Sequence, residues 1–205
     1  MTASNSEMDM DDAMRHVIDL YHQRIEAEKR GQGGPHRHMA IGPASGRLIN
    51  LLVRSLESPR ILELGTSLGY STIWLADAAR ATDGQVITME LEAEKSAYAR
   101  DMAKQAELAK WVDYRVGDAL QLLADVEEDF DFVLVDHWKD LYLPSFEAFR
   151  GKLAPGAIVV ADNMIPRRED KGQAVYAAAV RATPGMSSVL LPVGSGLEVS
   201  RYQPD

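Results

Sequence analysis

The chain contains no cysteine. That excludes a disulfide framework, a thiolate metal centre and a cysteine nucleophile, leaving oxygen and imidazole as the protein ligands open to a metal. No stretch reaches the roughly 20 apolar residues needed to span a bilayer, and the polar, acidic amino terminus does not read as a secretory leader. Basic residues are outnumbered. The 22 Lys and Arg against 31 Asp and Glu give a net charge of -9, and no basic stripe supplies the phosphate attraction that drives nucleic-acid binding. The expectation is a soluble cytoplasmic protein with no nucleic acid and no membrane as partner, a monomer or homodimer.

What is present, 205 residues of which 46% are hydrophobic and 26% charged, fits one globular domain with a core that needs no staple. Apolar residues at Met14, Val17, Ile18, Tyr21 and Ile25 recur at helical spacing, predicting an amphipathic helix over 9–30. It runs into Gly31-Gln32-Gly33-Gly34-Pro35, which with His36, Arg37 and His38 reads by composition as a mobile connector. A second helix follows from Pro43 through Leu48, Leu51, Leu52 and Leu56. Residues 1–58 are thus expected to supply two helices and a loop covering the site, and 59–205 the core.

From residue 59 onward strand-like runs alternate with helix-like ones. Strands are predicted at 61–64, 85–89, 112–116, 130–135 and 157–161, and helices at 71–81, 93–109, 119–126 and 142–153. Such alternation implies a parallel sheet with helices on both faces, because parallel strands need right-handed crossovers. A helix after Lys171 precedes strands at 187–192 and 196–202, joined by the short turn Val193-Gly194-Ser195-Gly196, which suits a hairpin. The expected fold is a Rossmann-like, doubly wound α/β sheet of seven strands in the order 3-2-1-4-5-7-6, the last strand antiparallel.

Open α/β sheets bind ligands at strand C-termini. After the first strand, Gly65-Thr66-Ser67-Leu68-Gly69 lets the chain turn tightly and opens a helix at Tyr70 and Ser71 whose amides face a ligand. Glu90 ends the second strand at the spacing of a carboxylate that accepts ribose hydroxyls. The turn lacks the middle glycine that lets a pyrophosphate approach the backbone, which favours S-adenosylmethionine over a dinucleotide. Glu63 has no apolar reason to end a buried strand, so it accepts hydrogen bonds from nearby backbone amides or from the cofactor's methionine amine. Asp118 either approaches the adenine amino group or caps the helix opening at Ala119.

Asp136-His137-Trp138-Lys139-Asp140 and Asp162-Asn163 follow the fourth and fifth strands directly. Neighbouring strands lie about 4.8 Å apart, so Asp136, Asp162 and Asn163 can converge on one ion. Two carboxylates and an amide oxygen form a hard set that suits Mg²⁺. Lys139 stands beside them as a candidate base, with a surface pair to Asp140 as its bland alternative.

These segments, together with Leu62-Glu63-Leu64-Gly65, Gly69-Tyr70-Ser71, Thr88-Met89-Glu90, Tyr142-Leu143-Pro144 and Gly196-Leu197-Glu198, resemble catechol O-methyltransferases over residues 39–202. The resemblance implies transfer of a methyl group from S-adenosylmethionine to a hydroxyl of a small aromatic diol, assisted by Mg²⁺. It implies metal ligands at Asp136, Asp162 and Asn163, a base at Lys139 and a hydroxyl-orienting carboxylate at Glu198. It places Ile41, Glu63, Gly65, Ser67, Tyr70, Ser71, Glu90, Asp118, Ala119, Asp136, His137 and Trp138 around the cofactor. The acceptor would meet Met39, Trp138, Lys139, Asn163, Pro166, Leu197 and Glu198.

Two departures stand out. Vertebrate members carry a tryptophan lid where this chain has Arg37, and the segment after Asn163 is longer and more charged. Arg37, Arg167 or Arg168 would match an acidic group on the acceptor, since arginine pairs with carboxylates bidentately; a solvated loop is the plainer alternative. Competing readings are a caffeoyl-coenzyme A type or other small-molecule O-methyltransferase, an RNA methyltransferase, which the acidic charge disfavours, and a cofactor-binding regulatory protein without turnover.

Overall fold

A computed structural model describes residues 10–32, 34, 36, 40–165 and 172–204. The chain begins with α1 (Asp12–Lys29), whose first turn is capped by the Asp11 carboxylate accepting from the Met14 amide. Its apolar face, Met14, Val17, Ile18 and Tyr21, is buried, as the helical spacing predicts. The connector after it is tied down at His36: Arg24 donates to the His36 carbonyl at 2.9 Å, and His36 Nε2 lies 2.9 Å from Glu94 Oε2. α2 (Pro43–Arg54) opens with proline in its first turn, where a missing N–H costs nothing.

The alternating core follows: β1 (Arg60–Leu64), α3 (Tyr70–Thr82), β2 (Gln85–Glu90), α4 (Ala93–Gln105), β3 (Val112–Val116), α5 (Ala119–Ala124), β4 (Phe130–Val135), α6 (Tyr142–Phe149) and β5 (Leu153–Ala161). It closes with α7 (Gly172–Ala182), β6 (Met186–Leu191) and β7 (Leu197–Tyr202). The sheet runs β3-β2-β1-β4-β5-β7-β6, with β7 antiparallel to both its neighbours. This is the expected order. Two apolar clusters fill its faces, one joining the sheet to α1, α2 and α3 and centred on Ile61, Ile73 and Phe132, the other joining it to α6 and α7 through Phe130, Phe146 and Tyr176.

Two boundaries differ from expectation by four residues, the others by less. Glu107 turns left-handed at φ 58° and ends α4 early, before a 3-10 turn at Ala109–Trp111. Leu153 pairs with Phe130, so β5 starts four residues sooner than predicted and shortens the preceding helix, with an irregular register between Phe130 and Phe132. Among the described residues no helix is long and apolar enough to cross a membrane.

Candidate active site

The strand order places the ends of β1, β4 and β5 side by side, and the ladder continues past them. Asp136 N donates to Leu64 O at 2.9 Å, and Asp162 N to Val135 O at 3.1 Å. The backbone thereby fixes both aspartates over neighbouring strand ends. Gly65 is needed at this crossing, since its φ is 100° and a Cβ there would stand 2.4 Å from the Asp136 carbonyl oxygen. Gly69, at φ 91°, starts α3 against Ala99 of α4, where a Cβ would approach that residue's Cβ to 2.6 Å. Both glycines are therefore demanded by packing, whatever ligand the loop meets.

Glu63 is fully buried on β1. Thr72 and Thr88 each donate to its Oε2 at 2.6 Å, while Oε1 has no partner. Burial, reinforced by the charge of Glu90, pushes its pKa up to about 7 against the pull of hydrogen bonds from Ser71, Thr72 and Thr88. A buried carboxylate with acceptor capacity to spare, beside a glycine loop, suits an incoming cationic amine. Glu90 already holds that loop: its Oε2 accepts from Ser67 N at 2.8 Å and its Oε1 from Glu92 N at 3.0 Å. Asp118 takes the capping role, accepting from Leu120 N and Gln121 N at the start of α5, next to Ala119. Tyr70 is buried and its hydroxyl lies 3.1 Å from His22 Nε2, and Ser71 is buried beside it.

Asn163 Nδ2 bridges the two acids, donating to Asp136 Oδ1 at 3.0 Å and to Asp162 Oδ2 at 3.1 Å. Asn163 itself is left-handed, at φ 59°, a conformation asparagine tolerates. Asp162 is 4% exposed and its Oδ1 is unpartnered. Burial raises the pKa of both carboxylates; Asp136 is raised further by the charges of Asp162 and Glu63, and Lys139 pulls both down. Negative charge is thus concentrated beyond what the side chains answer. Among the described residues no three His, Cys, Asp or Glu side chains converge, so a metal here needs the Asn163 amide as a third ligand. A half-turn of that amide presents its oxygen, and the resulting hard set fits Mg²⁺.

Lys139 opens the 3-10 turn Lys139–Leu141 directly after Trp138, and its charge reaches both aspartates. Trp138 is 65% exposed and forms an apolar surface at the open end of the strands. His137 turns toward α6: its Nε2 lies 2.8 Å from Ser145 Oγ, its ring packs on Tyr142, and burial lowers its pKa to about 4, so it is neutral.

Three other expected residues are buried and engaged within the protein. Leu197 and Ile41 are buried in the α1–α3 side of the core. Glu198 is 1% exposed and both its oxygens are engaged: Arg181 donates to each at 2.9 Å and Ser188 donates to Oε1 at 2.5 Å. Met39, Pro166, Arg37, Arg167 and Arg168 lie outside the described residues. Sequence reasoning missed four supports: Thr72 and Thr88 under Glu63, Tyr142, which donates to Asp162 O at 3.0 Å, and Gln173, which donates to Asn163 O at 3.3 Å. Thr88 was detectable, as the one hydroxyl in the apolar run of β2 and the direct register partner of Glu63.

The sequence and the fold are similar to those of known O-methyltransferases. The mouse catechol O-methyltransferase is 30% identical over 179 residues, covering 80% of this chain and 66% of that protein. The catechol O-methyltransferase of Niastella koreensis is 34% identical over 131 residues, covering 62% of this chain and 59% of its own length. The chain therefore spans about six tenths to two thirds of these relatives. Among solved structures, the O-methyltransferase TomG of Streptomyces achromogenes, in complex with S-adenosylmethionine, superposes with a TM-score of 0.79 at 27% identity, covering 98% of this chain and 93% of that one. The Bacillus cereus O-methyltransferase in complex with S-adenosylhomocysteine gives 0.78, also at 27% identity, over 98% and 94%. A family profile described as O-methyltransferase matches residues 19–201, and the chain belongs to that family.

Proposed function

We propose that the protein transfers the methyl group of S-adenosylmethionine to a hydroxyl of a small catechol-type aromatic, with a divalent cation bound by Asp136, Asp162 and Asn163. The observation that carries this reading is the pair of mutually repelling carboxylates, buried at Asp162 and half-buried at Asp136, bridged by Asn163 within the field of Lys139. Its likeness to proteins named catechol O-methyltransferase supports the substrate class, and the cofactor is supported by TomG, whose structure contains S-adenosylmethionine.

Glu63 Oε1 would accept from the cofactor's amine, and Glu90 would extend its loop-holding role to the ribose hydroxyls. When bound, the cofactor supplies an electrophilic methyl on a sulfonium and the cation stabilises the acceptor oxyanion, whose phenol is otherwise a poor nucleophile with a pKa near 10. Lys139 would take the hydroxyl proton at Nζ. Trp138 offers its exposed ring as one wall for the acceptor. Holding acceptor and donor in line supplies much of the acceleration.

The test is release of S-adenosylhomocysteine from purified protein offered catechol, a catechol acid and its neutral amide, and a caffeoyl thioester, with Mg²⁺ and with chelator. Catechol turnover abolished by chelation is the expected result. Turnover that survives complete chelation removes the metal from the reaction, and turnover of the thioester alone replaces the substrate class.

A further inference from the structure

The first turn of α7 touches both halves of the proposed machinery. Gly172 lies against the Lys139–Asp140 peptide so closely that a Cβ at 172 would stand 2.6 Å from Lys139 O and 3.1 Å from its carbonyl carbon. The next residue, Gln173, is 2% exposed and donates through Nε2 to Asn163 O at 3.3 Å. At the other end of the helix Arg181 grips the buried Glu198 of β7 through two hydrogen bonds, so α7 cannot slide along the sheet without breaking them. Tyr142, leading out of the Lys139–Leu141 turn, adds a hydrogen bond from its hydroxyl to Asp162 O.

We infer that the first turn of α7 is a brace that sets the separation of Lys139 from Asn163, with Gly172 and Gln173 as positioning residues. The inference rests on the roles given to Lys139 and Asn163 above. Only glycine lets the helix end seat on the Lys139 carbonyl, and that carbonyl belongs to the residue whose amine must face the acceptor. Asn163 holds its left-handed backbone immediately after the last residues of β5, and there Gln173 grips its carbonyl. One rigid helical turn thereby couples two loops that leave different strands. A misplacement of about 1 Å is worth roughly a hundredfold in rate, and loss of a side chain supporting a metal ligand is worth roughly ten- to a hundredfold in metal affinity.

The experiment measures Mn²⁺ affinity by titration calorimetry in the absence of any acceptor, S-adenosylhomocysteine affinity by the same method, and kcat and KM with catechol and Mg²⁺. Gln173→Leu is expected to weaken Mn²⁺ binding roughly tenfold. Gly172→Ala should lower kcat by roughly a hundredfold with little change in the KM for S-adenosylmethionine. Both variants should keep S-adenosylhomocysteine affinity within about twofold, because Glu63, Glu90 and the glycine loop belong to β1 and β2, two and three places from β5 in the sheet. Wild-type Mn²⁺ affinity in Gln173→Leu, or wild-type kcat in Gly172→Ala, overturns the brace. Parallel loss of S-adenosylhomocysteine affinity in both overturns it as well, since the damage is then general. Wild-type protein that binds no Mn²⁺ fails the proposed metal site itself, a result read before any α7 variant is made.

Discussion

Replacing Glu63 by glutamine should make the protein more stable relative to wild type as the pH rises, a consequence of placing a carboxylate where water cannot reach it. Burial lifts the Glu63 pKa from 4.5 to about 7, a displacement of about two and a half pH units, which at about 1.4 kcal/mol each amounts to about 3 kcal/mol. Because the folded-state value lies above the unfolded one, the favourable contribution is complete below about pH 4.5 and is lost as the pH climbs through 7. Glutamine resembles the protonated acid in shape and keeps an oxygen for Thr72 and Thr88, so any fixed cost of its amide cancels in the pH dependence. Asp136 acts in the same direction, since the charge of Glu63 is among the causes raising it. Melting curves of wild type and Glu63→Gln, without cofactor, from pH 4.5 to 8.5 should therefore diverge by about 3 kcal/mol, or roughly 6–12 °C for a domain of this size. A melting difference that stays constant over that range refutes the assignment of Glu63 as a buried, neutral-leaning acid.

The same Glu63→Gln protein should bind S-adenosylmethionine roughly tenfold or more weakly, because a charge-assisted hydrogen bond to its amine is replaced by a neutral one; calorimetric affinity equal to wild type counts against that contact. Lys139→Ala should cut turnover by roughly a hundredfold to ten-thousandfold while sparing S-adenosylhomocysteine binding, and unchanged turnover of catechol removes the base assignment. Asp162→Asn should lose Mn²⁺ binding yet melt at a higher temperature than wild type without metal, since one of two repelling buried carboxylates is gone; a lower melting temperature contradicts the repulsion inferred here. Arg181→Leu should destabilise the protein by about 2 kcal/mol, less than the full cost of orphaning a buried charge because Arg181 is itself half-exposed, and should leave kcat at low temperature within about threefold. A normal melting curve with lost turnover would instead give Glu198 a direct part in the chemistry.

What the sequence made legible, and what it hid, divides along a physical line. Continuous apolar runs mark buried strands and helical spacing marks an apolar face, so every strand was legible locally, and the alternation of strand and helix, with the fold it implies, gave the sheet order and the convergence of Asp136, Asp162 and Asn163. Boundaries slipped where the backbone did something the side chains do not announce, as at Glu107, whose left-handed turn needs no glycine, and at Leu153, drawn into β5 by pairing with Phe130. Supports such as Thr72, Gln173 and Tyr142 were invisible because each acts on a partner from another element, and their contacts exist only once the chain has folded.

Glu198 shows the same division within one residue. The segment Gly196-Leu197-Glu198 matches the family pattern, and the pattern supplies a role in orienting the acceptor. Yet β7 alternates, and with Leu197 turned into the α1–α3 side of the core, Glu198 falls on the face covered by α7, diagonal to Ser188, which donates to it, and within reach of Arg181. A carboxylate has about four acceptor positions. Three are occupied here, which leaves room for one further donor and no freedom to move toward it. An acceptor hydroxyl would have to come to Glu198, and the depth of that carboxylate would then fix how far the aromatic ring enters beside Trp138. The ion pair with Arg181 is an anchor for α7, and a part for Glu198 in orienting the acceptor is what lost turnover with a normal melting curve in Arg181→Leu would reveal.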